Sequence, residues 1–162
     1  MTRSEEICQQ LGLIPHPEGG FYREWWRSDR NVQHPAGDLR PAMTAIYYVL
    51  RAGDFSAWHS VRSEETWVLL EGGPLEFHLL TDAGEHSIVR LAQDGVRHVV
   101  APADTLMAAE PARGAEFVLV ACHVAPGFDF ADFLLPTRAE LLERHPTHEM
   151  LVVRFTRLSA AD

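Results

Sequence analysis

The sequence predicts a mainly all-β domain, a sandwich or barrel of short antiparallel strands with helices confined to its two ends. Three observations carry this. From residue 42 onward, short apolar runs recur at near-even spacing, in residues that suit a pleated surface. The separators are brief and rich in Gly, Pro and Asp: RAGD, EGGP, TDAGE, QDGV, APAD and EPARG. Helix caps stand near the beginning and near the end of the chain. Many short strands joined in this way indicate a closed or double-layered sheet.

The elements follow in order. Thr2, with Glu5 three residues on, has the form of a capping box. Ile7, Leu11 and Leu13 then offer one apolar side, so a short helix runs to about Gly12. The Pro and Gly residues of LIPHPEGG break regular structure, and Phe21–Arg27 reads as a strand. Residues 28–41 are polar and contain Pro35 and Pro41, which predicts an exposed loop. Strands are expected at Met43–Leu50, Phe55–Val61, Glu65–Leu70, Leu75–Thr81, His86–Ala92, His98–Ala101, Thr105–Ala109 and Ala115–Val124. Thr137 caps a helix over RAELLERHP, which Pro146 stops. Over 147–158, Leu151, Val153 and Phe155 fit a strand, while Leu151, Phe155 and Leu158 fit a helix, which is favoured. The whole reads as one domain, residues 1–162. An N-terminal helix and arm take 1–41, a barrel 42–125, and a closing segment with C-terminal helices 126–162.

Composition narrows the function classes. The chain has 162 residues, 46% of them hydrophobic, which suffices for one real core. A net charge of −9 argues against nucleic acid as a partner, since phosphate binding needs a basic surface. The start MTRSEEICQQLG lacks the apolar stretch of a signal peptide, and no run approaches membrane-spanning length. No membrane partner and a cytoplasmic location are therefore expected. Cys8 and Cys122 do not make a disulfide framework and read as packed, reduced thiols.

Residues 53–72, GDFSAWHSVRSEETWVLLEG, are the most informative stretch. Phe55, Ala57, His59 and Val61 share one face of a strand, because side chains alternate. Arg62, Ser63 and Glu64 make a polar break short enough for a hairpin turn. Glu65, Trp67, Leu69 and Glu71 then share a face of the next strand. His59 and Glu65 flank the break and can point into one cavity. Histidine with carboxylate suits both proton transfer and metal binding.

Written as a pattern the stretch is G-x5-H-x-V-x3-E-x6-G. It resembles the first motif of the cupin superfamily, G-x5-H-x-H-x3-E-x6-G, except at Val61, where metal-binding cupins carry a second histidine. HPEGGFYRE, IYYVL, SAWHSVRSEETW, PLEFHLL and VAPGFDFADF extend the likeness, in order, to the small single-domain cupins of the cupin-5 family. The resemblance implies a double-stranded β-helix, the cupin jelly roll, and a homodimer. The second cupin motif is degraded: Pro102 matches, but Asp104 replaces a Gly, Met107 stands where a His would be, and Pro111 replaces an Asn. Relatives often carry Gln at the Met107 position and His at the Val68 position.

The candidate site follows. His59, Glu65 and Tyr48 are the candidate catalytic residues: His59 as base or acid, Glu65 as its partner, and a tyrosine in the opposite role. Tyr47 and Tyr48 alternate, so one faces inward. Tyr22, Arg23, Arg62, Trp67, His78 and Met107 are candidate ligand-binding residues, with Trp67 as a stacking wall and Met107 opposite. No cofactor is predicted. A weak divalent metal would use His59 and Glu65 with His78 or His123. The expected function is metal-independent acid–base chemistry, epimerase- or isomerase-like, on a small polar, carbohydrate-derived molecule. The alternatives are a metal-dependent dioxygenase or isomerase, and a non-catalytic ligand-binding or structural protein.

Overall fold

The computed structural model describes residues 1–158. In chain order its elements are α1 (Arg3–Leu11), β1 (Ile14–Pro15), β2 (Phe21–Arg27), β3 (Asn31–Gln33), β4 (Leu39–Pro41), β5 (Thr44–Arg51), β6 (Ser56–Val61) and β7 (Glu64–Gly72). Then come β8 (Leu75–Leu80), β9 (His86–Leu91), β10 (His98–Ala101), β11 (Leu106–Pro111), β12 (Phe117–Ala125), β13 (Phe133–Leu134), α2 (Arg138–Arg144) and α3 (Glu149–Arg154). One sheet has the order β1-β2-β5-β12-β7-β10, the other β13-β6-β11-β8-β9, and every pairing is antiparallel. The interleaved order, with chain neighbours β6 and β7 in different sheets, is that of a jelly roll.

Alternation builds the core between the sheets. Tyr48, Trp67, Leu69, Phe77, Met107 and Val120 are all essentially buried in it. Outside the sheets lie two further apolar clusters. Ile7 of α1 packs on Val49, Phe117 and Leu119. On the other side, Leu141, Val152 and Phe155 of the C-terminal segment cover Trp58, Leu80 and Leu106. Strand β6 is therefore buried on both faces, which explains its continuous burial.

The predicted capping box of Thr2 with Glu5 closes, and the expected cap at Thr137 forms a second box with Glu140. The 147–158 stretch forms the helix α3, preceded by a short 3-10 turn. Two expectations need correction, those for residues 28–41 and for the break after Val61. The 28–41 segment is not all loop but holds the β3–β4 hairpin. Trp58 is covered by the protein's own C-terminal helices, its indole Nε1 donating to the Leu151 carbonyl at 3.0 Å. The break after Val61 is not a hairpin turn: β6 pairs with β11 and β13, and β7 with β12 and β10. Arg62 and Ser63 carry the chain from one sheet to the other.

That crossover decides the placement of the motif. Its two polar residues approach the same space from opposite sheets. Gly72 at the motif's end has φ +75°, and a Cβ there would lie 2.3 Å from the Phe117 carbonyl oxygen. Only glycine meets both demands.

Candidate functional site

A cavity of about 510 Å³ opens at one end of the barrel. The inner faces of β2, β5, β7 and β12 contribute Tyr22, Glu24, Thr44, Ile46, Glu65 and Cys122. Strand β6 contributes His59 and Val61, and the segment after β12 closes one side with Phe128, Phe130 and Phe133. The loop between β1 and β2 adds His16 and Glu18.

Glu18 is held tightly. Gly19 has φ +108°, and its carbonyl accepts the Tyr48 hydroxyl at 2.5 Å. The Glu18 carbonyl accepts from the Ala57 amide at 2.8 Å, so the loop is tied to β6. Its side chain then reaches two partners. Ser56 Oγ donates to Oε1 at 2.9 Å, and His59 Nε2 lies 3.1 Å from Oε2. His59 Nδ1 is 2.8 Å from the Ala57 carbonyl, which can only accept, so Nδ1 carries a proton. Nε2 thus turns toward the Glu18 carboxylate at ion-pair distance. Glu18 and His59 form a close carboxylate–imidazole pair, buried at the cavity wall.

Glu65 is 6% exposed. Burial, reinforced by the negative charge of Glu18, pushes its carboxyl up to about 8, while the Trp67 indole and the Cys122 thiol pull weakly the other way. It holds its proton at neutral pH. Burial pushes the Cys122 thiol well up as well, with the Glu65 and Glu18 charges adding to the effect. His16 accepts the Glu18 amide proton at Nδ1 over 3.2 Å, so its own proton sits on Nε2. Burial lowers its pKa, partly offset by Glu18, and its ring stands edge-on to Tyr22 at 4.4 Å.

The structure brings together only part of the expected set. His59, Glu65 and Tyr22 face the cavity. Tyr48 points inward but is wholly buried behind the wall, its hydroxyl committed to Gly19. Trp67 and Met107 are also packed core rather than wall; Trp67 lies 5.4 Å edge-on from Tyr48, and Met107 pairs with His59 across the ladder. Arg23 faces outward and donates to the Leu11 carbonyl at the end of α1. Arg62 is exposed and lies 3.8 Å from Asp132. His78 packs under Phe155 on the outer side of its sheet, because Phe77 takes the inward position. His123 faces away too: Cys122 and Val124 line the cavity, and His123 sits 6.1 Å from Trp25 on the other face.

Several cavity residues escaped the sequence reading. His16 and Glu18 come from a loop whose docking depends on β6. Arg27 reaches the cavity because a bulge between Glu24 and Trp26 resets the alternation of β2. It holds Glu24 through two bonds of 2.8 and 2.9 Å and the Phe128 carbonyl at 3.1 Å, bracing the closing segment.

The donor set in the cavity does not fit a metal centre. Among the described residues, no three His, Cys, Asp or Glu ligand atoms there lie within 4.8 Å of one another. Val61 occupies the wall where a second imidazole would stand, and His59 Nε2 is already engaged by Glu18. A stable site needs at least three protein ligands in most cases.

Comparison with known proteins agrees with the fold. The Cupin_5 family model, described as Cupin superfamily (DUF985), matches residues 5–136. A solved hypothetical protein from Leishmania major is 30% identical, with TM-score 0.91, covering 97% of this chain and 100% of that one. A solved protein from Shewanella oneidensis is 31% identical, with TM-score 0.88, covering 98% of this chain and 100% of that one. The capsular polysaccharide assembling protein CapF of Staphylococcus aureus is 13% identical, with TM-score 0.57, over 76% of this chain and 31% of its own; that likeness concerns the fold alone. No curated protein matches the chain.

Proposed function

The chain belongs to the cupin-5 family of the cupin superfamily, and from that premise we propose that it is a metal-independent acid–base enzyme of the epimerase or isomerase kind. The observation that supports this reading is the pairing of the close Glu18–His59 couple with a neutral Glu65 carboxyl in one cavity. Two titratable centres with different environments are what a site needs to run acid and base steps together.

The chemistry requires a carbon–hydrogen bond next to a carbonyl. Nε2 of His59, with the Glu18 carboxylate beside it to offset the charge it gains, takes the hydrogen from carbon as a proton. Glu65 donates its own proton to the carbonyl oxygen, which avoids a free enolate. Return of both protons, with the carbon proton delivered to the other face or to the neighbouring carbon, completes an epimerisation or isomerisation without net proton change. Phe128, Phe130 and Phe133 give one side of the cavity an aromatic wall. A small carbohydrate-derived substrate fits the mixed wall, polar on the Glu18–His59–Glu65 side and aromatic on the other. The preference for a sugar rests on fold analogy.

The reading is tested by incubating the protein in deuterium oxide with aldoses, ketoses and nucleotide sugars. Proton NMR should show loss of one carbon-bound hydrogen signal in at least one substrate, and none with the His59→Ala variant. Exchange that persists in His59→Ala, or no exchange in any of these compounds, overturns it.

We also propose that the protein works as a homodimer in the cytoplasm. Trp25 and Trp26, both at least 43% exposed on β2, support a covered surface there. Among the described residues no helix is long and apolar enough to cross a membrane.

A further inference from the structure

The outer face of the five-stranded sheet carries a cluster unrelated to the cavity. Glu76 of β8 stands directly opposite Glu110 of β11 in the ladder. Like charges placed so are destabilising unless something neutralises them. His78, on the same face of β8, joins them: one ligand atom from each of Glu76, His78 and Glu110 lies within 4.8 Å of the others.

His78 is the informative member. It is 1% exposed, and its Nε2 is buried with no hydrogen-bond partner among the described residues. A buried polar atom left unpaired is costly, so its persistence calls for a reason. Its Nδ1 is already engaged, 3.0 Å from His86 Nε2. With Nδ1 so engaged, Nε2 is the ring nitrogen left for an ion.

We propose that Glu76, His78 and Glu110 bind a divalent transition-metal ion, best suited to zinc, on this outer face. One imidazole and two carboxylates are a zinc donor set, with water in the fourth position. His86 supplies the outer partner such a histidine ordinarily has: with Nε2 on the metal, Nδ1–H of His78 donates to His86 Nε2. Phe155, 4.7 Å from the His78 ring, roofs the site. Without metal the carboxylates are met by arginines, Glu110 by Arg154 and Glu76 by Arg90 at 3.6 Å. Both arginine side chains are more than half exposed, so they can swing into solvent when an ion arrives. The proposal does not depend on the chemistry assigned to the cavity.

The test uses full-length protein made without an affinity tag, stripped with chelator and titrated with zinc chloride in a calorimeter. One equivalent should bind, and the melting temperature should rise with zinc concentration. His86→Ala should weaken binding by about 10-fold or more. The double variant Glu76→Gln/Glu110→Gln, which keeps the His78 packing, should lose binding. His59→Ala should bind as the wild type does. No binding by the wild type, unchanged affinity in the double glutamine variant, or loss of binding in His59→Ala each overturns the proposal.

Discussion

Oε2 of Glu18 lies 3.1 Å from Nε2 of His59, while Ser56 holds Oε1 at 2.9 Å. A carboxylate fixed at both oxygens cannot turn away, so the two residues should behave as one group. With an exchange substrate in hand, His59→Ala and Glu18→Gln should each lower kcat by about 10²–10⁴-fold. The double variant should be little worse than either single one, since residues acting as a unit are not additive. Multiplying losses in steady-state kinetics would show that they act separately.

Glu65 links the cavity to stability. Its folded pKa of about 8 lies above the ordinary 4.5. Between those values the folded protein holds a proton that the unfolded chain has released. Stability therefore falls as pH rises through this window, because the unfolded state binds fewer protons. Glu65→Gln removes the effect. The variant should match the wild type near pH 4.5 and exceed it by on the order of a few kcal/mol at pH 8. Urea unfolding at both pH values checks this, and an equal difference at both would contradict it.

Trp58 is wholly buried between β6 and the C-terminal helices, with Phe155 5.6 Å away edge-on. Trp58→Ala should cost about 3–5 kcal/mol, since the space left cannot collapse between a sheet and two helices. Chemical denaturation measures this directly. A loss below about 1 kcal/mol would mean that the helices contribute little to the fold.

The dimer is checked by sedimentation. Trp25 stacks on Tyr47 at 5.6 Å but remains 43% exposed, and Trp26 is 50% exposed. If a second copy covers them, the double variant Trp25→Ser/Trp26→Ser should sediment as a monomer at concentrations where the wild type is a dimer. A wild-type protein that is monomeric at micromolar concentration would refute the proposal.

How much of this was legible in the sequence depends on the range of the interaction. Caps and most strand positions rest on local chemistry and could be read from Thr2, Thr137 and the turn glycines. The spacing of His59 and Glu65 also survives, since both reach one cavity even though the link between them is a crossover and not a hairpin. The facing of β8 was not legible. Leu75, Phe77 and Leu79 alternate with Glu76, His78 and Leu80, and the C-terminal helices bury part of the second set too. Alternation cannot choose between two faces that both meet apolar cover. Glu18 stands in a loop motif that by itself assigns it no place in the site, because its role arises only when Gly19 and Tyr48 fix the loop. Arg27 was hidden by a bulge that no local signal marks.

Strand β6 has one more consequence. Its outer edge is satisfied by three separate pieces of chain: the Ala57 amide donates to the Glu18 carbonyl at 2.8 Å, the Trp58 amide to the Phe155 carbonyl at 2.9 Å, and β13 pairs with Val61 and Ser60. An edge that would otherwise invite aggregation is thus sealed from three directions. Each of these amides exchanges its hydrogen with solvent only when its own covering piece lifts. Hydrogen-exchange rates at Ala57 and Trp58 therefore report on the undocking of the Glu18 loop and of the C-terminal segment, which Arg157 links by donating to the Glu18 carbonyl at 2.6 Å. One short strand is a two-channel gauge of which flap over the barrel moves first.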